Sequence, residues 1–357
     1  MITGNKGEWS EIYALFKLLG DKELQSGNEN FEKIENLVYP ILRILRTETN
    51  GDFQYSIEDD IILISGSDEV LRIPILEFKE KATFLLNSIK SNTERTFSVP
   101  EVEEFMQSIN CISLKASSSA KTDITIIVHD QRTGQQPTLG FSIKSQLGNP
   151  STLLNAGKTT NFCFKVSNLK AEQINKINTI STKSKIKDRI LKIKELGGVF
   201  EFSNTEKQIF SNNLVLIDSS LPKILSELVF NFYSDSKTKV KELVDEIEIQ
   251  NPLNFDTSNH HQFYTYKIKR FLTDIALGMM PSKVWTGEYD ATGGYLVVKG
   301  NGEILCYHIY NKNEFENYLI NNTKLETASS TRHDFGELFE ENGELFFKLN
   351  LQIRFLK

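Results

Sequence analysis

Residues 121–161 limit the fold more than any other stretch of this chain. The run KTDITIIVHD carries Ile124, Ile126, Ile127 and Val128 directly after Asp123, and so dense a β-branched run reads as a buried strand. QRTGQQP follows, where Gly134 and Pro137 turn the chain, and 139–143 supplies a second strand. Side chains alternate across a strand, so Ser142 and Lys144 share one face and Phe141 and Ile143 the other. Paired as a hairpin, the two strands bring Asp123 beside Ser142 and Lys144. A carboxylate, a hydroxyl and an ammonium then converge at one end of a sheet.

Such a trio suits metal-assisted attack on a phosphodiester. Asp123 offers a hard oxygen ligand for Mg²⁺, which lowers the pKa of a bound water and offsets charge growing on the phosphate. Lys144 can orient or help deprotonate that water. A strand that begins with Asp and another that ends with Lys is also ordinary, because strand ends meet solvent. On local spacing alone the plain reading is the stronger one.

The rest of the chain sets the frame. Its 357 residues suffice for two domains, and 39% hydrophobic with 25% charged residues describes an ordinary globular protein. Cys111, Cys163 and Cys306 lack metal-type spacing and fit free thiols in a reducing cytoplasm. The N-terminal stretch has no signal-peptide character, and no apolar run is long enough to span a bilayer. With 41 basic against 47 acidic residues the net charge is −6, which argues against generic polyanion binding but leaves room for a local footprint.

Residues 4–19 read as an amphipathic helix carrying Trp9, Ile12, Tyr13, Phe16 and Leu19, with Glu8 and Glu11 one turn apart. Glu8 is explained as a first-turn acid; Glu11 lies deeper, at the margin of the apolar stripe. Apolar spacing extends a second helix over 29–46, kinked at Pro40. Strands are expected at 61–65 and 70–75 and a helix over 76–90. Ser98-Val-Pro-Glu101 reads as a capping box opening a helix over 102–109. Ser118, Ser119 and Lys121 form a hydroxyl-rich approach to Asp123. After Lys144, the amides, hydroxyls and lysine of Ser145, Gln146, Asn149, Ser151, Thr152, Asn155 and Lys158 suit contacts to phosphates and base edges. Residues 169–196 read as one basic helix, a solvated face or a backbone-tracking surface. A hairpin is expected around Gly300-Asn301-Gly302, and Arg332 and His333 fall in a polar loop where a guanidinium can read guanine. Three consecutive segments result: 1–166 with the active-site strands, 167–250 helical and partly basic, and 251–357 α+β, assigned to DNA recognition.

NKGEWSEIYALFKLLGD, KTDITI with LGFSIKSQLGNPSTLLNA, and the later TGEYDATGGYLVVK, CYHIYN, KLET and KLNLQIRF together resemble the HpaII-type restriction endonucleases over nearly the whole length. The resemblance implies a type II enzyme that cuts double-stranded DNA within CCGG using Mg²⁺, alongside a cognate DNA methyltransferase. It also implies a mixed α/β fold with the PD-(D/E)XK nuclease core. Asp123 takes the first acidic position and Lys144 the lysine position, both catalytic. The second acid is replaced by Ser142, which removes a charge from the metal site. Glu11, four residues beyond the Lys6-Gly7 pair, resembles the N-terminal-helix glutamate of related nucleases and stands as the second metal ligand, with Glu8 as the substitute. Gln146 assists if the strand continues. A palindromic target favours a homodimer, though a monomer nicking each strand in turn also fits. The rival readings are a Ser142/Lys144 hydrolase and a DNA-binding protein that does not cleave.

Overall fold

The computed structural model describes residues 1–66, 69–116 and 122–357. Their contacts group the chain into two compact units, one of residues 1–151, 289–318 and 357, the other of 152–288 and 319–356. These units do not follow the three consecutive segments suggested by the sequence. The chain leaves the first unit after 151 and returns to it at 289, because the hairpin Gly294–Val298/Ile304–His308 completes that unit's sheet.

The first unit opens with α1 (Lys6–Asp21), β1 (Glu23–Gly27), β2 (Lys33–Glu48), β3 (Gly51–Glu58), β4 (Ile61–Ser65) and β5 (Leu71–Pro74). Helices α2 (Ile75–Ser91) and α3 (Pro100–Ser108), then β6 (Ile124–Val128) and β7 (Thr138–Ser145), follow. Its nine-stranded mixed sheet runs β1, Ile304–His308, Gly294–Val298, β7, β6, β2, β3, β4, β5. Strand Gly294–Val298 lies parallel to β7, and β6 antiparallel to it. The first half of β2 also pairs with β1, so six of the strands close into a ring. Gly294, at φ +104°, enters that ring so tightly that a Cβ would lie 2.2 Å from the Tyr307 carbonyl oxygen.

Helix α1 forms where the sequence places it. Asn5 caps it by accepting from the Gly7 and Glu8 N–H groups, and Glu8 returns the bond to the Asn5 N–H in a capping box. Its buried side, Trp9, Ile12, Tyr13, Phe16 and Leu19, packs in the unit's core together with Phe78 and Phe105.

The helix expected over 29–46 is not found; the segment is β2. A bulge between Ile41 and Arg43 shifts the phase of the strand, so that Ile41 and Ile44 are both buried three residues apart. That spacing imitates a helical stripe. The box at Ser98 is also corrected: Val99 occupies the cap of α3, without a side-chain bond, and Pro100 sits at the first helical position.

The second unit holds two antiparallel sheets. One orders Val199–Thr205, Asn161–Ser167, Glu344–Asn350 and Leu338–Glu341; the other orders Thr323–Leu325, Ile353–Phe355 and Thr152–Leu154. Helices Gln208–Ile217, Leu221–Ser234, Val240–Gln250 and Phe263–Leu277 supply its apolar faces. The basic helix expected over 169–196 is two helices, Gln173–Asn178 and Lys185–Glu195, parted by the Ser/Thr-rich 179–184. No described helix is long and apolar enough to cross a membrane. All three cysteines are buried and free.

Candidate active site

The site lies in the first unit, at the end of β7. The register Ile124↔Phe141 puts Asp123 across from Ser142, and the Asp123 N–H donates to the Phe141 carbonyl at 2.9 Å. Asp123 Oδ2 accepts from Ser142 Oγ at 3.0 Å and from the Ile143 N–H at 2.6 Å. Lys144 Nζ donates to Ser142 Oγ at 3.0 Å. The three side chains that the strand alternation brings together thus form one relay, Lys144 to Ser142 to Asp123. Asp123 Oδ1 makes no hydrogen bond among the described residues.

The lysine is held from below by an aromatic ring. Tyr295 pairs in register with Ser142 on the neighbouring parallel strand, and the Lys144 ammonium sits 4.8 Å from its ring centroid. Burial lowers the Lys144 pKa, against the opposing pull of Asp123 and Glu11. Tyr295 is itself buried, and burial with the nearby Asp123 charge pushes its phenol upward.

Helix α1 brings the second carboxyl. Ser10 Oγ bonds both the Lys6 carbonyl oxygen and, at 2.8 Å, Ser145 Oγ at the end of β7. This clasp fixes the helix against the strand that carries Lys144. Glu11, the next residue, has its pKa raised to about 8, first by burial and then by the Asp123 carboxylate, with Lys115 and Arg46 pulling the other way. Glu8 is differently engaged. Its Oε2 closes the capping box and its Oε1 lies 3.4 Å from Lys115 Nζ. A cleft of about 770 Å³ beside these groups is lined by Lys6, Glu8, Glu11, Lys115, Ser145 and Asn149, among others.

Other expected site residues are placed as follows. Gln146 lies one residue past the end of β7, its N–H bonded to the Val298 carbonyl, and its side chain makes no hydrogen bond to the relay among the described residues. Ser145, Asn149 and Ser151 line the cleft. Thr152, Asn155, Lys158, Arg332 and His333 belong to the second unit. There Lys158 pairs with Asp334 at 3.3 Å, and Arg332 and His333 sit in the helical turn Ser330–His333 instead of an open loop. Ser118, Ser119 and Lys121 lie outside the described residues.

The sequence reading missed Ser10, Arg46 and Tyr295. Arg46 is buried, ion-paired to Glu48 and bonded to the Ser113 carbonyl, and it acts on Glu11 only because its segment is a strand. Tyr295 carries no motif, and only the parallel pairing with β7 reveals it.

No group of three or more His, Cys, Asp or Glu side chains that could hold a metal exists among the described residues. What the site offers is two carboxyls: Asp123, with Oδ1 unbonded among the described residues, and Glu11, pushed up to about 8 by burial and by the Asp123 charge. That donor set fits a single hard divalent cation whose remaining ligands are waters and substrate oxygens.

Fold and site together define the class as a mixed α/β enzyme with an acid–lysine centre at a sheet end. The model of the HpaII restriction endonuclease family matches residues 5–355. A relative from Haemophilus parainfluenzae, "Type II restriction enzyme HpaII", is 52% identical over 357 residues, covering 99% of each chain. No solved structure matches. The chain belongs to the HpaII restriction endonuclease family, and is a type II restriction enzyme.

Proposed function

We propose that the protein hydrolyses phosphodiester bonds of double-stranded DNA within CCGG, with Mg²⁺ held by Asp123 and Glu11. The single observation that carries the reading is the meeting of Asp123, Ser142, Lys144 and a Glu11 whose carboxyl rises to about 8. The relatedness to a restriction enzyme supports DNA as the substrate, and the carboxylate–lysine pair on a mixed sheet supports a PD-(D/E)XK-type core.

Each residue has a chemical task. Asp123 Oδ2 is fixed by two donors, so that Oδ1 would be the oxygen free to hold a cation. Glu11, once ionised, would be the second carboxylate to hold it. Ser142, where the family pattern has an acid, passes the Lys144 hydrogen bond on to Asp123 without adding charge. Lys144, its pKa lowered by burial, orients the attacking water and takes or offsets the charge that forms on the phosphate. Tyr295 keeps that ammonium aligned. Mg²⁺, when bound, would acidify water and neutralise phosphate charge.

The cleft-lining Ser145, Asn149 and Ser151, with Gln146 beside them, are assigned to the DNA backbone near the scissile bond. Thr152, Asn155, Lys158, Arg332 and His333 are assigned to recognition by the second unit. A cytoplasmic enzyme acting as a homodimer on a palindrome, beside a methyltransferase that protects host sites, completes the reading. Plasmid digestion tests it: cutting requires Mg²⁺, stops with EDTA, maps to CCGG and is blocked by methylation of that site. Ends that map elsewhere remove the sequence assignment, and undiminished cutting in EDTA removes the metal.

A further inference from the structure

The second unit contains a cleft of about 660 Å³, separate from the residues assigned above to catalysis. Lys183, Lys185, Lys187, Lys237 and Lys324 line it, with hydroxyls including Ser184, Ser236, Thr238 and Ser330; its acids are Asp235 and Glu326. Several lysines of this region are satisfied, both away from the cleft and at it: Lys192 pairs with Glu195, Lys194 lies over the Phe230 ring, Lys241 pairs with Asp245, and at the cleft Lys237 pairs with Glu246 at 3.0 Å. Inside it, Lys183, Lys185 and Lys187 have no carboxylate partner among the described residues, and Lys187 reaches only Ser236 Oγ at 3.4 Å. Glu326, by contrast, is already held by Arg354 at 2.7 Å and by Lys324.

Three unpaired ammonium groups gathered at one concave surface repel one another, at a cost that a net-acidic chain could easily remove with a nearby carboxylate. The helix Lys185–Glu195 opens here without a side-chain cap at Ser184, and Asp188 in its first turn, bonded by Thr182 Oγ1, offsets the N-terminal partial charge and leaves the lysines to set the field. Residues 324–331 also line the cleft and run into the turn holding Arg332 and His333.

We infer that this cleft is a phosphate-binding site for the DNA backbone, in which Lys183, Lys185 and Lys187 grip two or three consecutive phosphates and seat the Ser330–His333 turn against the duplex. The inference rests on DNA being the substrate. It assigns to this surface binding strength without sequence information, as backbone contacts do.

The test is the salt dependence of binding to a short CCGG-containing duplex, measured in EDTA by fluorescence anisotropy on the full chain. Each phosphate contact contributes a slope of about −0.9 in log K against log [salt]. The triple variant Lys183→Gln/Lys185→Gln/Lys187→Gln is expected to flatten the slope by about 2–3 and to weaken binding at least tenfold at low salt. The paired control Lys192→Gln/Lys194→Gln keeps the wild-type slope. An unchanged slope in the triple variant, or an equal flattening in the control, overturns the inference. So does saturable binding of pyrophosphate or a nucleoside triphosphate that the triple variant loses while its DNA slope stays intact. Failure of the wild type to cleave DNA at all is a separate result, and strikes the proposed function instead.

Discussion

The two units each bury a polar cluster, and they settle its charges in opposite ways. In the second unit, Asn350 Nδ2 donates to the Gly157 carbonyl at 2.8 Å and to Asn161 Oδ1 at 2.7 Å, and Asn161 Nδ2 donates to Glu206 at 2.8 Å and to the His333 carbonyl at 2.9 Å. Neutral amides tie the turn at 157–160 to the turn at 333–334, and of these amide groups Asn350 Oδ1 alone is buried without a partner among the described residues. In the first unit, burial raises the Glu11 carboxyl to about 8, helped by the Asp123 charge, and burial disfavours the Lys144 ammonium against the opposing pull of Asp123 and Glu11. A neutral amide network with most of its bonds made gives rigidity. An electrostatically incomplete one gives a site that gains from a cation and from a developing anionic transition state.

The sharpest way to break this contrast is at Asp123. Asp123→Ala is expected to lower the cleavage rate by about 10⁴-fold or more, while metal-free DNA affinity holds or improves because a negative charge near phosphate is gone. Rate measurement under single turnover, paired with anisotropy, checks both halves. Lys144→Ala should follow with about 10²–10⁴-fold.

Glu11 comes next. Glu11→Gln is expected to cost more than about 10²-fold in cleavage, whereas Glu8→Gln stays within about threefold because its amide oxygen keeps the capping bond and only the half-exposed ion pair with Lys115 is lost. The pH sign follows from a carboxyl raised to about 8. It must ionise to take the ion, so with scarce Mg²⁺ the rate climbs with pH up to about 8 and levels above it. In the absence of metal the same raised pKa makes fold stability fall as pH rises from about 4.5 to about 8. Glu11→Gln should flatten both profiles; a variant that retains them shows that another group titrates.

Asn350→Ala sharpens the comparison from the other side. It orphans several buried partners and should lower the unfolding free energy by about 1–3 kcal/mol, read as a fall in the urea midpoint, with the cleavage rate at saturating DNA unchanged within about twofold. The smallest expected effect is at Tyr295. Tyr295→Leu removes the ring beneath Lys144 and should lower the rate about 3- to 30-fold with binding intact, and Tyr295→Phe should restore it.

These clusters were unequally legible in the sequence. Asp123, Ser142 and Lys144 could be read because a hairpin is local and the two-residue alternation fixes which side chains meet. Glu11 could be nominated from its depth in α1, but its closeness to Asp123 depends on the Ser10–Ser145 clasp, a contact between residues 135 apart. The bulge in β2 hid a strand behind helical spacing, and with it Arg46. Tyr295 enters through a parallel pairing that no local pattern records. Lys158 and Arg332 are legible as candidates for DNA contact, but the pairing of the first with Asp334 and the helical turn that holds the second depend on the return of the chain's last segment.

The central claim is that Asp123 and Glu11 hold one divalent ion between them. Titration of Mn²⁺ followed by electron paramagnetic resonance measures this without requiring catalysis. The account predicts a single site competed by Mg²⁺, weakened at least tenfold by Asp123→Asn and by Glu11→Gln, and untouched by Glu8→Gln. Wild-type Mn²⁺ affinity in both of the first two variants would contradict it.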